Sequence, residues 1–446
     1  MAVVLAYGSP ALGHVYPVAA LLREMAARGH QVHLRTLAAQ VKAMSDVGFH
    51  VQPVDPRVEA ITGQDVYATN AFGMLKTTID VLCERAVIEV DDLRRAIDSI
   101  APDVIIVDAN CWGAMAAAEA SGIAWLVFSP FTPYLSSVGA PPFGPGLRPL
   151  PGLAGRLRDA QIRPLVTHLF DRRILPRINV IRVALRLSSV KSVDELMRRA
   201  PLLLAVGGEP FEYPHPDWGD SVHFLGACAF EPEPVTVPEW LADIDEPVVL
   251  VSTSSIPQAD AKLGHHALRA LADQAVHVVA TFPAGVPPEL PRPANATVCE
   301  FVNHSVVLDR AVCAVTHGGM GATVKALSRG VPVCAVPFGR DQAEVARRVQ
   351  LARCGTRLPA RRLTTARLAD AVRRAMTMTE GARRVAAGFA ATGGVARGAD
   401  LIEQRLLRPP TISAERPDVD AERAGRSSQA SPAPSAVLPP RTSTSP

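Results

Sequence analysis

The chain has 446 residues, which is enough for two domains of roughly 200 residues each. Hydrophobic residues make up 48% of the chain and charged residues 20%, a balance typical of a soluble globular enzyme and not of a disordered or fibrous protein. The formal net charge is only +3 and the 46 basic residues are spread along the chain, so the composition argues against nucleic-acid binding.

The cysteine content and the N-terminus bear on the cellular compartment. Seven cysteines without a C-x-x-C spacing argue against a disulfide framework and against a structural zinc site. Met1 runs directly into a strand-like "AVVLAY" with no basic leader, so we expect no signal peptide. No window reaches the apolar length of about 20 residues that a membrane-spanning helix needs. We therefore expect a cytoplasmic protein, with peripheral membrane contact left open.

The first half of the chain alternates between apolar strands and helices. The strand "AVVLAY" is followed by a Gly/Pro turn, a helix with one apolar face and a second strand from Gln31. A later apolar run, Val104–Val107, breaks at Asp108 and is again followed by a helical segment. Because this alternation favours a parallel, doubly wound sheet, we predict an α/β, Rossmann-like domain over residues 1–226.

Residues 155–200 form an arginine-rich segment within this half. The segment has helical periodicity with a basic face. We interpret it as a solvated amphipathic helix pair that covers a cleft. Docking of the basic face on a membrane surface is the alternative.

The second half repeats the alternation after a break. Residues 227–247 are rich in proline and acidic residues, which is typical of an interdomain linker. A strand starts at Val248, and strands and helices then alternate, which predicts a second Rossmann-like domain over 248–407. Residues 408–446 are Pro/Ser-rich with few large apolar groups, so we predict a disordered tail. Two such domains would face each other across a cleft.

A glycine-rich turn in the second half predicts an anion site. An apolar strand ends in Thr316-His317, three glycines follow within four residues, and a helix begins near Met320–Gly321. Such a turn exposes backbone N–H groups at the positive end of a helix, where phosphate binds readily. The turn is neither a P-loop nor a G-x-G-x-x-G fingerprint. A tight turn with a structural histidine is the alternative.

A second candidate lies near the N-terminus. The stretch "GSPALGHVYP" places His14 where a glycine-rich turn enters a helix. The dipole at a helix N-terminus favours the neutral imidazole, which is the form that accepts a proton. On the residues alone, His14 is either a reactive base or a polar residue that caps an ordinary turn.

Six motifs together resemble the family 1 glycosyltransferases of the B fold, especially the bacterial macrolide-type enzymes. They are "GHVYP", "RGHQV", "FVNHSVVL", "VTHGGMGAT", "GVPVCAVPFGRDQ" and "ARCGTRL", and the resemblance covers Met1 to about Leu407. It implies an inverting transfer of a sugar from a nucleoside diphosphate, with a UDP-sugar expected and a TDP-sugar as the alternative. The implied acceptor is a hydroxyl of an apolar small molecule such as a macrolide, polyketide or phenolic, held by the N-terminal domain.

The resemblance also implies roles for individual residues. His14 matches the catalytic base and Asp108 the carboxylate that orients it. The implied donor-binding residues are His317 on a phosphate, backbone amides at Gly319, Gly321 and Ala322 on the diphosphate, Asp341 and Gln342 on the sugar hydroxyls, and Phe301 and Val302 against the nucleobase. Thr253 and Ser254 follow the Val248–Val251 strand and add hydroxyl donors. Apolar side chains in the predicted loops 70–74 and 130–153 are acceptor-binding candidates, namely Phe72, Met74, Phe131 and Tyr134.

The chain departs from the family pattern at a few positions. Lys325 stands where enzymes with a uridine donor commonly place a glutamate on the ribose hydroxyls, and a lysine accepts no hydrogen bond. It could instead add positive charge beside a phosphate. Asn303 replaces the usual proline, and "VSTSSIP" lacks the usual glycine after its strand. These departures leave the proposed base untouched but put the donor nucleotide in question.

We expect no metal or other cofactor. A helix N-terminus and His317 are sufficient to stabilise the leaving diphosphate as fixed dipoles and donors. The two D-x-D triplets, at 243–245 and 418–420, fall in the predicted linker and tail and are not convincing metal motifs. Two other functions stay open: a glycolipid-forming transferase at the membrane surface, and a non-catalytic donor-fold partner protein. The sequence does not indicate the oligomeric state.

Overall fold

The computed structural model describes residues 1–62, 71–232, 236–255 and 260–407. The side chains of Ala71, Phe72 and Leu75 are also outside the described part. The predicted tail at 408–446, with its D-x-D triplet, therefore lies outside the described residues. Residues Met1–Leu407 form one compact unit.

The first half of the chain builds a parallel sheet. Its seven strands within the described residues run in the order β3-β2-β1-β4-β5-β6-β7. The central strands are continuously apolar, "VVLAY" and "VIIVD", because helices cover both faces of the sheet. The strands are β1 Val3–Tyr7, β2 Gln31–Thr36, β3 His50–Pro53, β4 Val104–Asp108, β5 Ala124–Ser129, β6 Leu203–Ala205 and β7 Val222–Phe224.

The order of these strands places a site at one edge. The strands that follow β1 in the chain, β2 and β3, lie on one side of it, whereas the strands that follow β4 lie on the other side of the sheet. The connections after β1 and after β4 therefore lead in opposite directions. A crevice opens at the carboxyl ends of such a pair. Tyr7 pairs with Val107, so the turn after β1 and Asp108 at the end of β4 meet at this crevice.

The second half builds a similar parallel sheet. Its six strands within the described residues run in the order β10-β9-β8-β11-β12-β13. Thr316 pairs with Ser252, so the ends of β11 and β8 form the matching crevice. The strands are β8 Val248–Ser252, β9 His277–Thr281, β10 Ala296–Cys299, β11 Ala311–Thr316, β12 Val333–Ala335 and β13 Gly355–Arg357.

Helices flank both sheets. The described residues contain α1 Leu12–Ala27, α2 Val41–Asp46, α3 Pro56–Ala60, α4 Ala71–Ile100, α5 Trp112–Ser121, α6 Gly152–Ala184, α7 Val193–Met197, α8 Glu239–Ala242, α9 Ala261–Ala270, α10 His304–Leu308, α11 Met320–Ser328, α12 Gln342–Leu351, α13 Thr365–Met376, α14 Thr379–Ala391 and α15 Gly394–Ile402. A π-helical turn, Glu403–Leu407, follows. None of the helices in this part of the chain is both long and apolar enough to cross a membrane.

Two helices differ from the sequence prediction. The expected loop at 70–74 is wrong for its described residues, which form the first turn of α4. The helix continues because apolar residues such as Ile79, Leu82 and Ala86 recur at helical spacing and are buried. The arginine-rich segment forms one 33-residue helix, α6, followed by the short α7.

The last helix returns to the first half. Arg28 at the end of α1 lies 2.7 Å from Asp400, and His30 Nε2 lies 3.0 Å from Glu403. A Cβ on Gly398 would lie 3.0 Å from Leu21 Cδ1, so the two helices are in close contact. These contacts join α15 to α1, although the sequence assigns residues 248–407 to the second domain. The domain boundaries themselves stay predictions.

Candidate active site

A cavity of about 840 Å³ lies between the carboxyl edges of the two sheets. Both halves of the chain contribute to its wall, with His14 and Phe131 from the first and His317 and Asp341 from the second. Clefts between domains and at the switch points of parallel sheets are common sites for small molecules. The structure therefore brings the predicted donor residues and two of the four acceptor candidates, Phe131 and Tyr134, to one place.

His14 and Asp108 form a hydrogen-bonded pair at the first crevice. His14 Nδ1 lies 2.8 Å from Asp108 Oδ2 and 3.0 Å from Oδ1. Asp108 is 3% exposed, and its Oδ1 also accepts from the Asn110 amide at 2.9 Å. Because a carboxylate accepts the Nδ1 proton, Nε2 is the basic nitrogen of the ring. The His14 ring lines the cavity, so the pair has the geometry of an oriented base.

The glycine turn after β11 forms an anion cradle. Gly318 has a φ of +84°, which favours glycine. A Cβ on Gly319 would lie 2.3 Å from His317 Nε2, so the imidazole is packed directly on this backbone position. Gly321 and Ala322 lie in the first turn of α11, where amide groups lack intrahelical partners, and both line the cavity. The turn thus presents amides and an imidazole to the same space.

His317 is neutral in this environment. Burial lowers the pKa of His317 to about 4, so its cavity-side nitrogen is not an imidazolium donor. Its Nδ1 lies 3.8 Å from Asp260 Oδ2. Stabilisation of an anion by this ring therefore depends on an N–H dipole and not on a full positive charge.

Thr253 and Ser254 follow β8 at the base of the cavity. Thr253 Oγ1 donates to the Thr281 carbonyl at 3.0 Å. The Ser254 amide donates to Asp260 Oδ2 at 2.6 Å. The one O–H proton of Thr253 is thus directed to a backbone carbonyl, and its donor-binding role stays a prediction. The Thr253 oxygen is left as an acceptor on the cavity wall.

Asp341 and Gln342 lie at the start of α12. Gln342 Oε1 accepts from the Phe338 amide at 2.8 Å and the Gly339 amide at 3.1 Å, which fixes the direction of its side-chain amide. Burial raises the pKa of the Asp341 carboxyl, and His14 acts in the opposite direction from across the cavity. Asp341 and His14 therefore lie close enough on the cavity wall to interact electrostatically.

Phe301 and Val302 lie in the loop after β10 and line the cavity. The Phe301 ring is 63% exposed, whereas Val302 is buried. An exposed aromatic ring at the cavity mouth is available to stack on a planar base.

Aromatic rings surround His14 on the acceptor side. The Phe131 ring lies edge-on to His14 at 5.8 Å, Tyr134 packs on Phe131 at 5.0 Å, and Phe143 packs on Tyr134 at 5.2 Å. Tyr134 Oη donates to Asn110 Oδ1 at 3.1 Å. The structure thus places Phe131 and Tyr134 beside His14, and their acceptor-binding role stays a prediction.

The other two acceptor candidates are placed differently. Met74 is buried and packs on Gly339, since a Cβ there would lie 2.4 Å from Met74 Cε. It does not line the cavity among the described residues. The side chain of Phe72 lies outside the described part of the chain.

Sequence reasoning missed much of the acceptor wall. Helices α4, α5 and α6 and the segment before α6 supply apolar residues that line the cavity, namely Ile79, Leu82, Trp112, Phe143, Val166, Leu169, Phe170 and Ile174. On α6 these residues follow a spacing of three and four, which predicts an apolar face but not its partner. The predicted cover over a cleft is therefore a helix that forms part of the pocket.

Lys325 has an acidic partner that the sequence did not indicate. Its Nζ lies 3.2 Å from Glu231 Oε1, and the two side chains are 17% and 11% exposed. Glu231 also accepts from the Ser305 amide at 3.0 Å and from the Ser305 hydroxyl. Both charged residues line the cavity. Within the described residues, no group of three or more His, Cys, Asp or Glu side chains is placed to hold a metal ion.

Comparisons with known proteins agree with this geometry. Residues 265–396 match the family described as "Erythromycin biosynthesis protein CIII-like, C-terminal domain". The chain is 32% identical over 419 residues to 4'-demethylrebeccamycin synthase of Lentzea aerocolonigenes, covering 90% of this chain and 98% of that protein. The solved calicheamicin glycosyltransferase CalG4 is 21% identical, with a TM-score of 0.67 over 92% of this chain and 99% of its own. The glycosyltransferase VinC in complex with DTDP is also 21% identical, with a TM-score of 0.62 over 89% and 98%.

The two facing parallel sheets and the cavity between them define a glycosyltransferase of the B fold. The chain belongs to the family 1 glycosyltransferases, as its motifs predict. The alternative of a non-catalytic partner protein is not supported.

Proposed function

We propose that this enzyme transfers a sugar, with inversion, from a nucleoside diphosphate to a hydroxyl of an apolar small molecule and needs no metal. The observation that carries the proposal is the His14–Asp108 pair, which opens on the same cavity as the helix N-terminus of α11. His14 can accept the proton of the acceptor hydroxyl, while the N-terminus of α11 binds the leaving diphosphate.

The proton moves from the acceptor to His14. As the acceptor oxygen attacks the anomeric carbon, its proton passes to Nε2 of His14, and the Asp108 carboxylate stabilises the imidazolium that forms. The bond from the anomeric carbon to the phosphate oxygen breaks, and its electron pair leaves with the diphosphate. Attack from the face opposite the leaving group inverts the anomeric centre.

The leaving group is stabilised by fixed dipoles. The first-turn amides of α11 and the imidazole of His317 point to one cradle, and a helix N-terminus favours negative charge. Because these groups are in place before reaction, they stabilise developing charge without reorganisation. This supports diphosphate departure without a metal. The nucleotide is a uridine or thymidine diphosphate; the neighbour VinC holds DTDP.

The acceptor occupies the apolar side of the cavity. Aromatic and aliphatic side chains from α4, α6 and the β5–α6 segment make most of this wall, to which α4 also contributes Arg85. Such a surface favours a large apolar molecule with a hydroxyl directed at Nε2. The relatives' names, which refer to rebeccamycin and calicheamicin, support an acceptor of the secondary-metabolite type.

The test combines binding and turnover. We expect His14→Ala to lower kcat by about 10²–10⁴-fold, the typical contribution of a general base, with unchanged nucleotide affinity. His317→Ala should weaken UDP or TDP binding in calorimetric titrations with a chelator present. His168, exposed on α6, provides the matched control His168→Ala, which should alter neither quantity.

Two results would contradict the proposal. Full turnover by the His14→Ala variant would show that His14 is not the catalytic base. Loss of nucleotide binding in the chelator, restored by a divalent cation, would mean that a metal holds the diphosphate.

A further inference from the structure

The ion pair between Lys325 and Glu231 has no role in the mechanism above. Glu231 comes from the segment that follows the first sheet, and Lys325 comes from α11 of the second half. Both side chains are largely buried, yet both form part of the cavity wall. A buried ion pair is costly to maintain, which directs attention to what it contacts inside the cavity.

The pair remains charged. Burial lowers the pKa of Lys325, but Glu231 opposes this effect. Burial disfavours the Glu231 carboxylate, yet Lys325 and Ser305 bring the pKa of Glu231 below its ordinary value. Glu231 is therefore an ionised acceptor at neutral pH.

The position of the pair matches the sugar of a bound nucleotide. Lys325 lies one helical turn beyond Gly321, which is a rise of about 6 Å from the diphosphate cradle. Val302 and Asn303, on the base side, line the cavity and lead directly to Ser305, whose amide bonds Glu231. In a nucleoside diphosphate the ribose joins the base to the phosphates, so it falls beside Glu231.

We propose that Glu231 binds the ribose hydroxyl of the donor nucleotide and that Lys325 and Ser305 position its carboxylate. This inference rests on the proposed function. A lysine on α11 cannot accept a ribose proton, and the carboxylate that does so comes from a different part of the chain.

The hydrogen bonds of Glu231 limit what it can recognise. Its Oε1 already accepts from Lys325 Nζ and the Ser305 amide, and Oε2 accepts the Ser305 hydroxyl. A carboxylate offers about four acceptor positions, so within the described residues one remains on Oε2. One position serves one hydroxyl. Thymidine diphosphate, one of the two proposed donor nucleotides, carries a 3′-hydroxyl but no 2′-hydroxyl, so we assign this position to the 3′-hydroxyl and expect the 2′-hydroxyl to add no affinity.

Three nucleotides with the same base test this assignment. Calorimetric titration of the full chain with UDP, 2′-deoxy-UDP and 2′,3′-dideoxy-UDP separates the two hydroxyls. We expect UDP and 2′-deoxy-UDP to bind within about threefold of each other. The dideoxy nucleotide should bind about 10- to 100-fold more weakly, the usual value of a hydrogen bond to a charged group.

Variants of Glu231 test whether this residue causes the difference in affinity between 2′-deoxy-UDP and the dideoxy nucleotide. In Glu231→Gln the preference for 2′-deoxy-UDP over the dideoxy nucleotide should fall to about threefold or less. Because this change leaves Lys325 without its charged partner, the double variant Glu231→Gln/Lys325→Met provides a neutral version, in which the preference should also be lost. Glu239→Gln, at an exposed position on α8, is the matched control and should keep the wild-type preference.

The outcomes distinguish this inference from the proposed function. If the three nucleotides bind wild type alike, if UDP binds at least tenfold more tightly than 2′-deoxy-UDP, or if Glu231→Gln keeps the preference, the assignment of Glu231 is wrong while the donor site stands. If neither these nucleotides nor TDP binds, the donor site and the inference both fail; if TDP alone binds, comparison of TDP with 3′-deoxy-TDP gives the same test of Glu231.

Discussion

A buried charge triad connects the two halves beside the cavity, and its disruption has a predictable cost. Arg348 Nε lies 2.7 Å from Glu212 Oε1, and Nη1 lies 2.8 Å from Glu344 Oε2. The side chains of all three residues are at most 3% exposed. Glu344 Oε1 accepts from the amides of Gly144 and Gly146 at 2.8 and 2.7 Å. The triad thus fixes the loop at residues 144–146, next to Phe143, whose ring packs on Tyr134 on the acceptor side of the cavity.

The substitution Arg348→Met keeps an unbranched side chain of similar length and removes the charge. Burial alone would raise the pKa of Glu212, but Arg348 and His215 hold it at about 2 instead of 4.5. At about 1.4 kcal/mol per pKa unit, that difference corresponds to about 3 kcal/mol of stability at neutral pH. Breaking a buried ion pair by removing one partner typically costs about 3–5 kcal/mol. We therefore expect the free energy of unfolding to fall by about 3 kcal/mol or more.

The pH dependence gives the sign of the effect. The folded-state pKa of Glu212 is depressed, so its contribution is present above pH 4.5 and is lost as the pH falls toward 2. Urea unfolding of wild type and Arg348→Met should show the full difference at pH 7 and a smaller one at pH 4. The acceptor KM should also rise, because the Gly144–Gly146 loop is no longer held, while nucleotide affinity changes little.

The double variant Arg348→Met/Glu212→Gln supplies the control. Removing one of the two stranded carboxylates should restore part of the lost stability. If Arg348→Met unfolds within 1 kcal/mol of wild type, or if the double variant is no more stable than the single one, the triad does not contribute in the way described.

Two further variants test the site, and a third tests the buried carboxyl of Glu89, which accepts from the Gly113 amide at the start of α5. Gly319→Ala should displace the His317 ring, because its Cβ would lie 2.3 Å from Nε2, and should weaken nucleotide binding by about tenfold or more in calorimetry with the fold intact; unchanged affinity would contradict the cradle. Phe170→Ala should raise the acceptor KM about tenfold with unchanged nucleotide affinity, whereas the exposed Leu157→Ala on the same helix should do neither. Burial raises the pKa of Glu89 from 4.5 to about 8, so its favourable effect on stability is full below pH 4.5 and declines by about 1.4 kcal/mol per pH unit up to pH 8. Glu89→Gln should remove that slope from the urea-unfolding profile, and parallel slopes for the two proteins would show that Glu89 does not titrate in this range.

Local sequence patterns predicted the fold, and they marked residues that the structure brings to one cavity. Apolar strands followed by helices specify parallel sheets, and the glycines after β11 mark a helix N-terminus because their spacing and conformation are local properties. The motif resemblance also paired His14 with Asp108, 94 residues apart, and the structure places them in hydrogen-bond contact. The parallel pairing of β1 with β4 explains why His14, which follows β1, meets Asp108 at the end of β4.

Tertiary packing decided the acceptor wall and the partner of Lys325. Periodicity on α6 shows that one face is apolar, but it does not tell whether that face meets a sheet, solvent or a ligand cavity. Met74 looked like a loop residue at the cavity and instead packs on Gly339 of the other half. Glu231 meets Lys325 only because the segment after β7 passes over α11. Contacts of this kind depend on how distant elements are placed against each other, and no short stretch of sequence encodes that placement.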